Sequence, residues 1–155
     1  MKRFLCLLFL AFVLLSLTSC SHVEDTNGSD DYSIVTFSDE EIIHGSRLTS
    51  TFGTFKTNSH INDKLKGRYR VSKLSGVVEV NTYETNKQNI KFEIEFTCKS
   101  GNAMIAIVAN NKIVKKISAN QDANFEIRNM GYEYKIVLVG ESAKVRLRYV
   151  VDSYN

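Results

Sequence analysis

The stretch Lys91-Phe92-Glu93-Ile94-Glu95-Phe96-Thr97-Cys98 decides the fold class of this chain. Its apolar side chains fall on every second residue, and charged or polar side chains fill the positions between them. Successive side chains of a β-strand point to opposite faces, so this alternation predicts a strand with one buried and one solvent-facing side. The segment 144–149 repeats the pattern, with Val145, Leu147 and Tyr149 inward and Lys144, Arg146 and Arg148 outward.

Further short segments of this kind occupy most of the chain after residue 47. They are 51–56, 69–72, 77–83, 103–109, 112–117, 124–128 and 132–139, and the turns between them are rich in Gly, Asn and Ser. No sustained helical period is present, and the chain contains no proline. A series of about eight to nine short strands predicts an all-β fold, an antiparallel β-sandwich or jelly-roll. The runs 103–109 and 136–139 are almost wholly apolar, which is typical of central strands.

Residues 1–19 have the organisation of an export signal. Lys2 and Arg3 form a short positive region, and a mostly apolar run follows from Phe4 to Leu17. A helix of that length rises roughly 21 Å, which is short of the ~30 Å hydrocarbon core of a bilayer. The run is therefore predicted to be the core of a signal peptide and not a transmembrane anchor.

The next residues, Leu17-Thr18-Ser19-Cys20, resemble the bacterial lipobox. The resemblance implies that residues 1–19 are a lipoprotein signal peptide and that the Cys20 sulfur carries diacylglycerol. Two acyl chains are the number that stable membrane anchoring requires. The predicted location is extracytoplasmic, on the cell membrane or on the outer membrane of a Gram-negative host. The alternative is an ordinary secretory signal that releases a soluble protein.

Charge divides the rest of the chain into two parts. Between Ser21 and Ile43 there are seven acidic residues and no Lys or Arg, whereas residues 44–155 carry 18 basic and 10 acidic side chains. High charge and low hydropathy favour a mobile stalk, so residues 20–46 are predicted to be the lipidated cysteine and an acidic tether. Residues 47–155 are predicted to be the β-sandwich domain. The mature chain is almost neutral overall, which argues against a nucleic-acid partner.

The segment Tyr134–Lys144 carries a second resemblance. It reads as Tyr, alternating apolar residues, Gly140, and a polar turn with Ala143 before the last strand. Within residues 92–151, this pattern is similar to the final hairpin of small extracellular β-sandwich lipoproteins of low-GC Gram-positive bacteria. The resemblance implies the fold and the compartment but no specific activity.

The histidines and the cysteines form no recognisable catalytic set. His22, His44 and His60 are predicted to be solvated residues of the tether and of a polar loop, and their spacing suits neither a zinc site nor a catalytic triad. Cys98 is the one thiol outside the signal and the lipobox. It falls on the apolar face of its strand, so it is predicted to pack as a small hydrophobe.

Carboxylates offer one geometric candidate for catalysis. Glu93 and Glu95 share a strand face about 7 Å apart, a separation within the range of glycoside hydrolases, but solvent-facing strands commonly carry such pairs. The acidic run 25–31 lacks the spacing of a calcium loop, and the chain has no glycine-rich phosphate loop. The sequence therefore predicts a protein that is not an enzyme and has no metal or cofactor.

Two basic stripes are the candidate binding surface. Lys144, Arg146 and Arg148 form one stripe, and Arg68 with Arg70 forms a second on the face of an earlier strand. The favoured explanation is cross-strand ion pairing with the outward residues Lys91, Glu93 and Glu95 or with Glu133. Ion pairing of this kind is common in sheets. The alternative is attraction to an anionic envelope polymer or a lipid head group.

The leading functional hypothesis is a lipid-anchored, non-catalytic domain that binds an envelope protein or an anionic polymer. Its contact with the membrane is through the lipid on Cys20, and no nucleic acid is expected among its partners. Two other functions fit a short anchored protein on a stalk. One is a phage or plasmid exclusion or immunity lipoprotein, and the other is an inhibitor of an envelope hydrolase.

Overall fold

The computed structural model describes residues 37–45, 49–128 and 133–155. The predicted export signal, Cys20 and most of the predicted tether lie outside these residues. One helix, α1 (Asp39–His44), precedes the strands β1 (Ser50–Phe52), β2 (Phe55–Ile61), β3 (Lys64–Glu84), β4 (Asn89–Ala109), β5 (Lys112–Ser118), β6 (Ala123–Arg128) and β7 (Glu133–Tyr154). Every strand pair is antiparallel, so the predicted all-β antiparallel fold is confirmed.

Three of the strands are much longer than predicted. β3 and β4 have 21 residues each and β7 has 22. Each joins two of the predicted short segments, whereas the predicted segment 51–56 is divided between β1 and β2. The described residues therefore form seven strands and not eight or nine. The register shifts in β3 between Val71 and Gly76 and in β4 between Cys98 and Asn102. Such bulges let a strand bend without ending.

The long strands divide the sheet into two halves. In the first, which we call the β2/β6 half, the order is β2, β3, β7, β4, β6, formed by residues 64–71, 89–98 and 145–154 of the long strands with the two short ones. In the second, the β1/β5 half, the order is β1, β3, β7, β4, β5. β7 is central in both halves.

The two halves pack face to face around one large core. Phe92, Phe96 and Leu147 of the β2/β6 half belong to the same buried cluster as Ile107 and Tyr134 of the β1/β5 half. The rings of Phe92 and Tyr134 lie 6.1 Å apart between centroids. This is the arrangement of a β-sandwich, with its core between two layers of sheet.

The outer faces of the two halves differ, and the difference explains two signatures in the sequence. The outer face of the β1/β5 half is apolar and forms a second cluster with Met104, Ala106, Val108, Val137 and Val139. In this half β4 and β7 are therefore buried on both faces, as their continuous apolar runs require. The outer face of the β2/β6 half is exposed, and its strands alternate between apolar and polar residues.

Helix α1 covers the apolar outer face of the β1/β5 half. Ile42 is only 2 % exposed and packs in the second cluster. Ser38 and Glu41 form a reciprocal capping box, in which the Ser38 amide donates to the Glu41 carboxylate over 2.8 Å. The prediction that the tether extends to residue 46 is therefore wrong for residues 37–45, which belong to the domain. The residues responsible are the cap and the apolar Ile42 within the acidic run.

Candidate functional site

The structure brings the two predicted basic stripes together on the outer face of the β2/β6 half. β3 and β7 are neighbours, and their register places Arg68 opposite Arg148 and Arg70 opposite Arg146. Residues directly opposite each other in an antiparallel pair have Cβ atoms about 4.5–5.5 Å apart. The four guanidinium groups therefore leave the sheet as two adjacent pairs of like charge.

Among the described residues, one carboxylate forms an ion pair with this group of arginines. Arg148 Nη1 lies 3.3 Å from Glu95 Oε2, and both side chains are more than half exposed. Within residues 37–45, 49–128 and 133–155, Arg68, Arg70 and Arg146 have no ion pair. The prediction that cross-strand carboxylates pair with both stripes is thus correct for Arg148. Among the described residues it is wrong for Arg68, Arg70, Arg146 and Lys144, for which no ion pair is present.

The other predicted carboxylate partners are engaged elsewhere. Glu93 accepts from Lys91 Nζ over 2.9 Å, and Glu133 lies 3.3 Å from Lys135 Nζ. Asp152, on the same outer face, holds Lys64 at 2.9 Å. Because these acids have nearer cations, they contribute little neutralisation to the four arginines.

Two lysines extend the arginines into a line along the seam between β3 and β7. Lys144 precedes Arg146 by two residues on β7, and Lys66 precedes Arg68 by two residues on β3, opposite Val150. Both lysines are exposed. We call this line the basic track; in spatial order it consists of Lys144, the pair Arg146 and Arg70, the pair Arg148 and Arg68, and Lys66. The track thus has four positions, which we call steps, and each lies two residues, or about 7 Å, from the next. The three intervals between the steps make the track about 20 Å long.

Lys66 is absent from the predicted stripes because the predicted strand begins only at Tyr69. The signal was present, since Leu65, Gly67, Tyr69 and Val71 are buried and the basic residues between them are exposed. An alternation with a period of two that begins at residue 64 predicts that Lys66, Arg68 and Arg70 share one exposed face, as the structure has them.

Grooves lie along the track. One of about 710 Å³ runs beside its Lys66 end and is lined by Thr57, Ser59, Lys66, Arg68, Glu93, Glu95, Asp122, Asn124, Arg148 and Val150, among others. A smaller one of about 220 Å³ lies among the arginines, and its lining includes Thr97 and Glu95. Cations, hydroxyls, amides and carboxylates all reach this surface, so it can bind an anion and hydrogen-bond to polar groups next to it.

Tyr149 supports the track from the inner face of the same strand. Its ring lies over Gly67, which is its register partner on β3, and its hydroxyl donates to Asn58 Oδ1 over 2.8 Å. Asn58 in turn donates to Asn81 Oδ1 over 3.1 Å. This contact fixes β2, β3 and β7 relative to one another beneath the arginines.

Tyr149 also sets an alkaline limit to stability. Burial raises its pKa from 10.0 to about 12. Because the folded pKa lies above the unfolded value, the contribution of Tyr149 to stability is complete below about pH 10 and is lost as the pH rises through about 12. We expect the free energy of unfolding, measured by urea titration, to fall over this range. Tyr149→Phe should make this fall shallower, because the variant lacks the buried phenol that titrates. Equal slopes for Tyr149→Phe and the wild type would contradict the assignment.

Cys98 is half-buried at the bend of β4. Its thiol donates to the carbonyl oxygen of Ser100 over 3.2 Å, and burial raises its pKa. A raised pKa keeps the thiol protonated and lowers its nucleophilicity at neutral pH. This environment fits the predicted packing role.

Glu93 and Glu95 do share the exposed outer face, as predicted. The hydrogen bond from Lys91 holds the pKa of Glu93 below its usual range. A glycosidase general acid needs a raised pKa, so the surroundings of Glu93 are the opposite of those that this role requires.

The prediction that His60 lies in a loop is wrong, because it lies in β2. Its ring packs edge-to-face against the ring of Tyr83, with 5.6 Å between the centroids. His44 ends helix α1 and is exposed, and His22 lies outside the described residues. The described part of the chain contains no cluster of three or more His, Cys, Asp or Glu side chains that could hold a metal ion. It also contains no helix with the length and hydropathy of a membrane span.

No protein-family model and no curated protein matches the chain. Solved structures with a similar fold include a protein of the disulfide-linked pili of Bacillus endospore appendages (7% identity, 68% of this chain and 95% of that one, TM-score 0.40). Another is the CBM36-1 domain of a multidomain xylanase from the hindgut metagenome of Trinervitermes trinervoides (12% identity, 72% of this chain and 94% of that one, TM-score 0.39). A third is a predicted oxalate decarboxylase from Thermotoga maritima (14% identity, 77% of this chain and 100% of that one, TM-score 0.34). At these identities the likeness concerns the fold and nothing else.

Proposed function

We propose that this chain is a lipid-anchored, extracytoplasmic protein whose β-sandwich binds an anionic envelope polymer or protein through the basic track, without catalysis. The observation that carries the proposal is the pairing of Arg68 with Arg148 and of Arg70 with Arg146, with a single carboxylate, Glu95, bound to the group in the described residues. The signal and the lipobox resemblance of residues 1–20 support the location.

Paired arginines are an unfavourable choice for the fold alone. Like charges directly opposite each other on a sheet destabilise it, by roughly 0.2–1 kcal/mol for a pair. Glu93 and Asp152 lie on the same face, but they form ion pairs with lysines and not with the arginines. Residues that break a local rule in this way are expected at functional sites, where a ligand supplies the missing charge.

Binding is tested with the full chain in a nonionic detergent, titrated against polymer and protein fractions of the host envelope. We expect Arg70→Gln with Arg146→Gln to weaken binding by about tenfold or more, because each removes charge-assisted hydrogen bonds. The matched control is Lys112→Gln with Lys115→Gln, which removes the same charge from β5 in the other half of the sheet. Equal losses in both variants would indicate a general charge effect and would contradict a role for the track.

The same variants distinguish a binding surface from a structural one. If the arginines serve a ligand, Arg70→Gln with Arg146→Gln should unfold at the same or a higher urea concentration than the wild type, because a repulsive pair has been removed. A clear loss of stability together with the loss of binding would show that these arginines support the fold.

Anchoring is tested separately, by growing cells that express the chain with a labelled fatty acid. We expect the wild type to incorporate the label and to sediment with membranes, and Cys20→Ala to lose the label because the acceptor sulfur is absent. Cys98→Ala is the matched control and should keep the label. Label retained by Cys20→Ala, or an unlabelled wild type in the medium, would contradict lipid attachment at Cys20.

A further inference from the structure

We propose that the anionic partner is a linear phosphodiester polymer in which three-carbon polyols join the phosphates, and that it lies along the seam between β3 and β7. This inference rests on the proposed function of the basic track and specifies its ligand.

The spacing of the track matches the repeat of such a polymer. Its cationic steps lie two strand residues apart, or about 7 Å. A three-carbon polyol places consecutive phosphorus atoms six bonds apart. Two residues of extended polypeptide also contain six backbone bonds and span roughly 7 Å, so an extended polymer of this kind keeps in step with the strands beneath it.

The pairing of the arginines matches the geometry of a phosphodiester. Its two free oxygens lie on different sides of the phosphorus atom, so one can accept from Arg70 on β3 while the other accepts from Arg146 on β7. The same holds at the next step, for Arg68 and Arg148. A carboxylate presents both oxygens along one edge, which suits a single guanidinium fork. Two opposed guanidinium groups therefore favour the phosphodiester.

The flanks of the track suit a polyol more than a nucleic acid. Thr57 on one side and Thr97 on the other lie next to the arginines in register, and Ser59 and Asn124 line the larger groove. These side chains can bond to the hydroxyls of a polyol. Single-stranded nucleic acids need a row of aromatic rings for their bases, and Phe55 is the one described aromatic residue in register with an arginine of the track.

The ends of the track fix the number of phosphates it can hold. Beyond Lys66 the next basic residue is Lys64, and its charge is already held by Asp152 at 2.9 Å. At the other end Lys144 lies beside the bend of β7, where it pairs with Ser100 of β4. The four steps between these limits correspond to four consecutive phosphates.

The test is calorimetric titration of the full chain, in nonionic detergent, with glycerol phosphate oligomers of one, two, four and eight phosphates. We expect the affinity to rise by about tenfold for each added phosphate up to four, and by less than about threefold between four and eight. Lys144→Gln should lower the number of phosphates at which the affinity levels off from four to three, whereas Lys112→Gln should leave it unchanged.

Three further probes complete the experiment: an oligogalacturonate and a single-stranded oligonucleotide with the same charge as the glycerol phosphate tetramer, and inorganic phosphate. All three should bind at least about tenfold more weakly than the glycerol phosphate tetramer. Equal or tighter binding of any of them, or an affinity independent of length, would overturn the assignment of the polymer. If no probe binds but the envelope fractions are still retained through the arginines, the polymer assignment fails alone. If neither binds, the proposed function fails with it.

Discussion

Replacing Gly101 with alanine is expected to lower the free energy of unfolding by about 4 kcal/mol, because backbone strain and steric overlap add at this site. Gly101 lies at the bend of β4 with a φ of 72°, which is in the left-handed region. A Cβ atom there would also overlap the carbonyl oxygens of Glu141 and Ser142 at the bend of β7. These are backbone atoms, so they cannot move aside by changing rotamer. Urea denaturation followed by circular dichroism measures the loss.

Two variants separate the causes at this bend. Gly101→Asn keeps the overlap but tolerates the left-handed conformation better, so it should lose about 1 kcal/mol less than Gly101→Ala. Asn102→Ala, at the exposed neighbouring residue, should change stability by less than about 0.5 kcal/mol. A loss below about 1 kcal/mol for Gly101→Ala would mean that the two bends are not in close contact.

Gly67→Ala is expected to cost about 3 kcal/mol, through overlap alone. Gly67 is buried in β3, and a Cβ atom would fall on the ring of Tyr149. To relieve the overlap the ring must shift, and the hydrogen bond from its hydroxyl to Asn58 would then be lost. The same urea titration measures this loss.

A double variant tests the mechanism at Gly67. In a Tyr149→Val background the ring is absent, so adding Gly67→Ala should cost less than about 1 kcal/mol. Lys66→Ala, at the adjacent exposed residue, should be close to neutral. Additive losses in the double variant would show that Gly67 and Tyr149 do not interact, and would remove the proposed support beneath the track.

The side-chain alternation of single strands could be predicted from the sequence. Phe92, Ile94 and Phe96 are buried, as their pattern indicates, and Arg146 and Arg148 are exposed. Alternation determines faces because the side-chain period of a strand is two. It contains no information on which strand lies next to which, and the meeting of Arg70 with Arg146 across the seam is a matter of register. For this reason the sequence predicted two separate stripes and not one track.

The bends and the edge strand could not be predicted in the same way. Gly76, Gly101 and Gly140 are typical of turns, so each long strand was divided at them, whereas the structure uses them as bulges inside continuous strands. Most of β2 has no alternation because all of its residues are exposed. Helix α1 was missed because its acidic residues are typical of a tether, although the Ser38 and Glu41 capping box was present in the sequence.

The central place of β7 has a consequence for how this protein is made. β3 and β4 have no pairing with each other and both pair with β7, which follows the six other described strands along the sequence. During synthesis neither half of the sheet has its middle strand until β7 emerges. The late pairing joins residues as far apart as Lys64 and Asp152, and contacts of such long range form slowly. A chain that cannot fold early stays unfolded for longer, which would suit the proposed export because a translocase passes unfolded chains through the membrane.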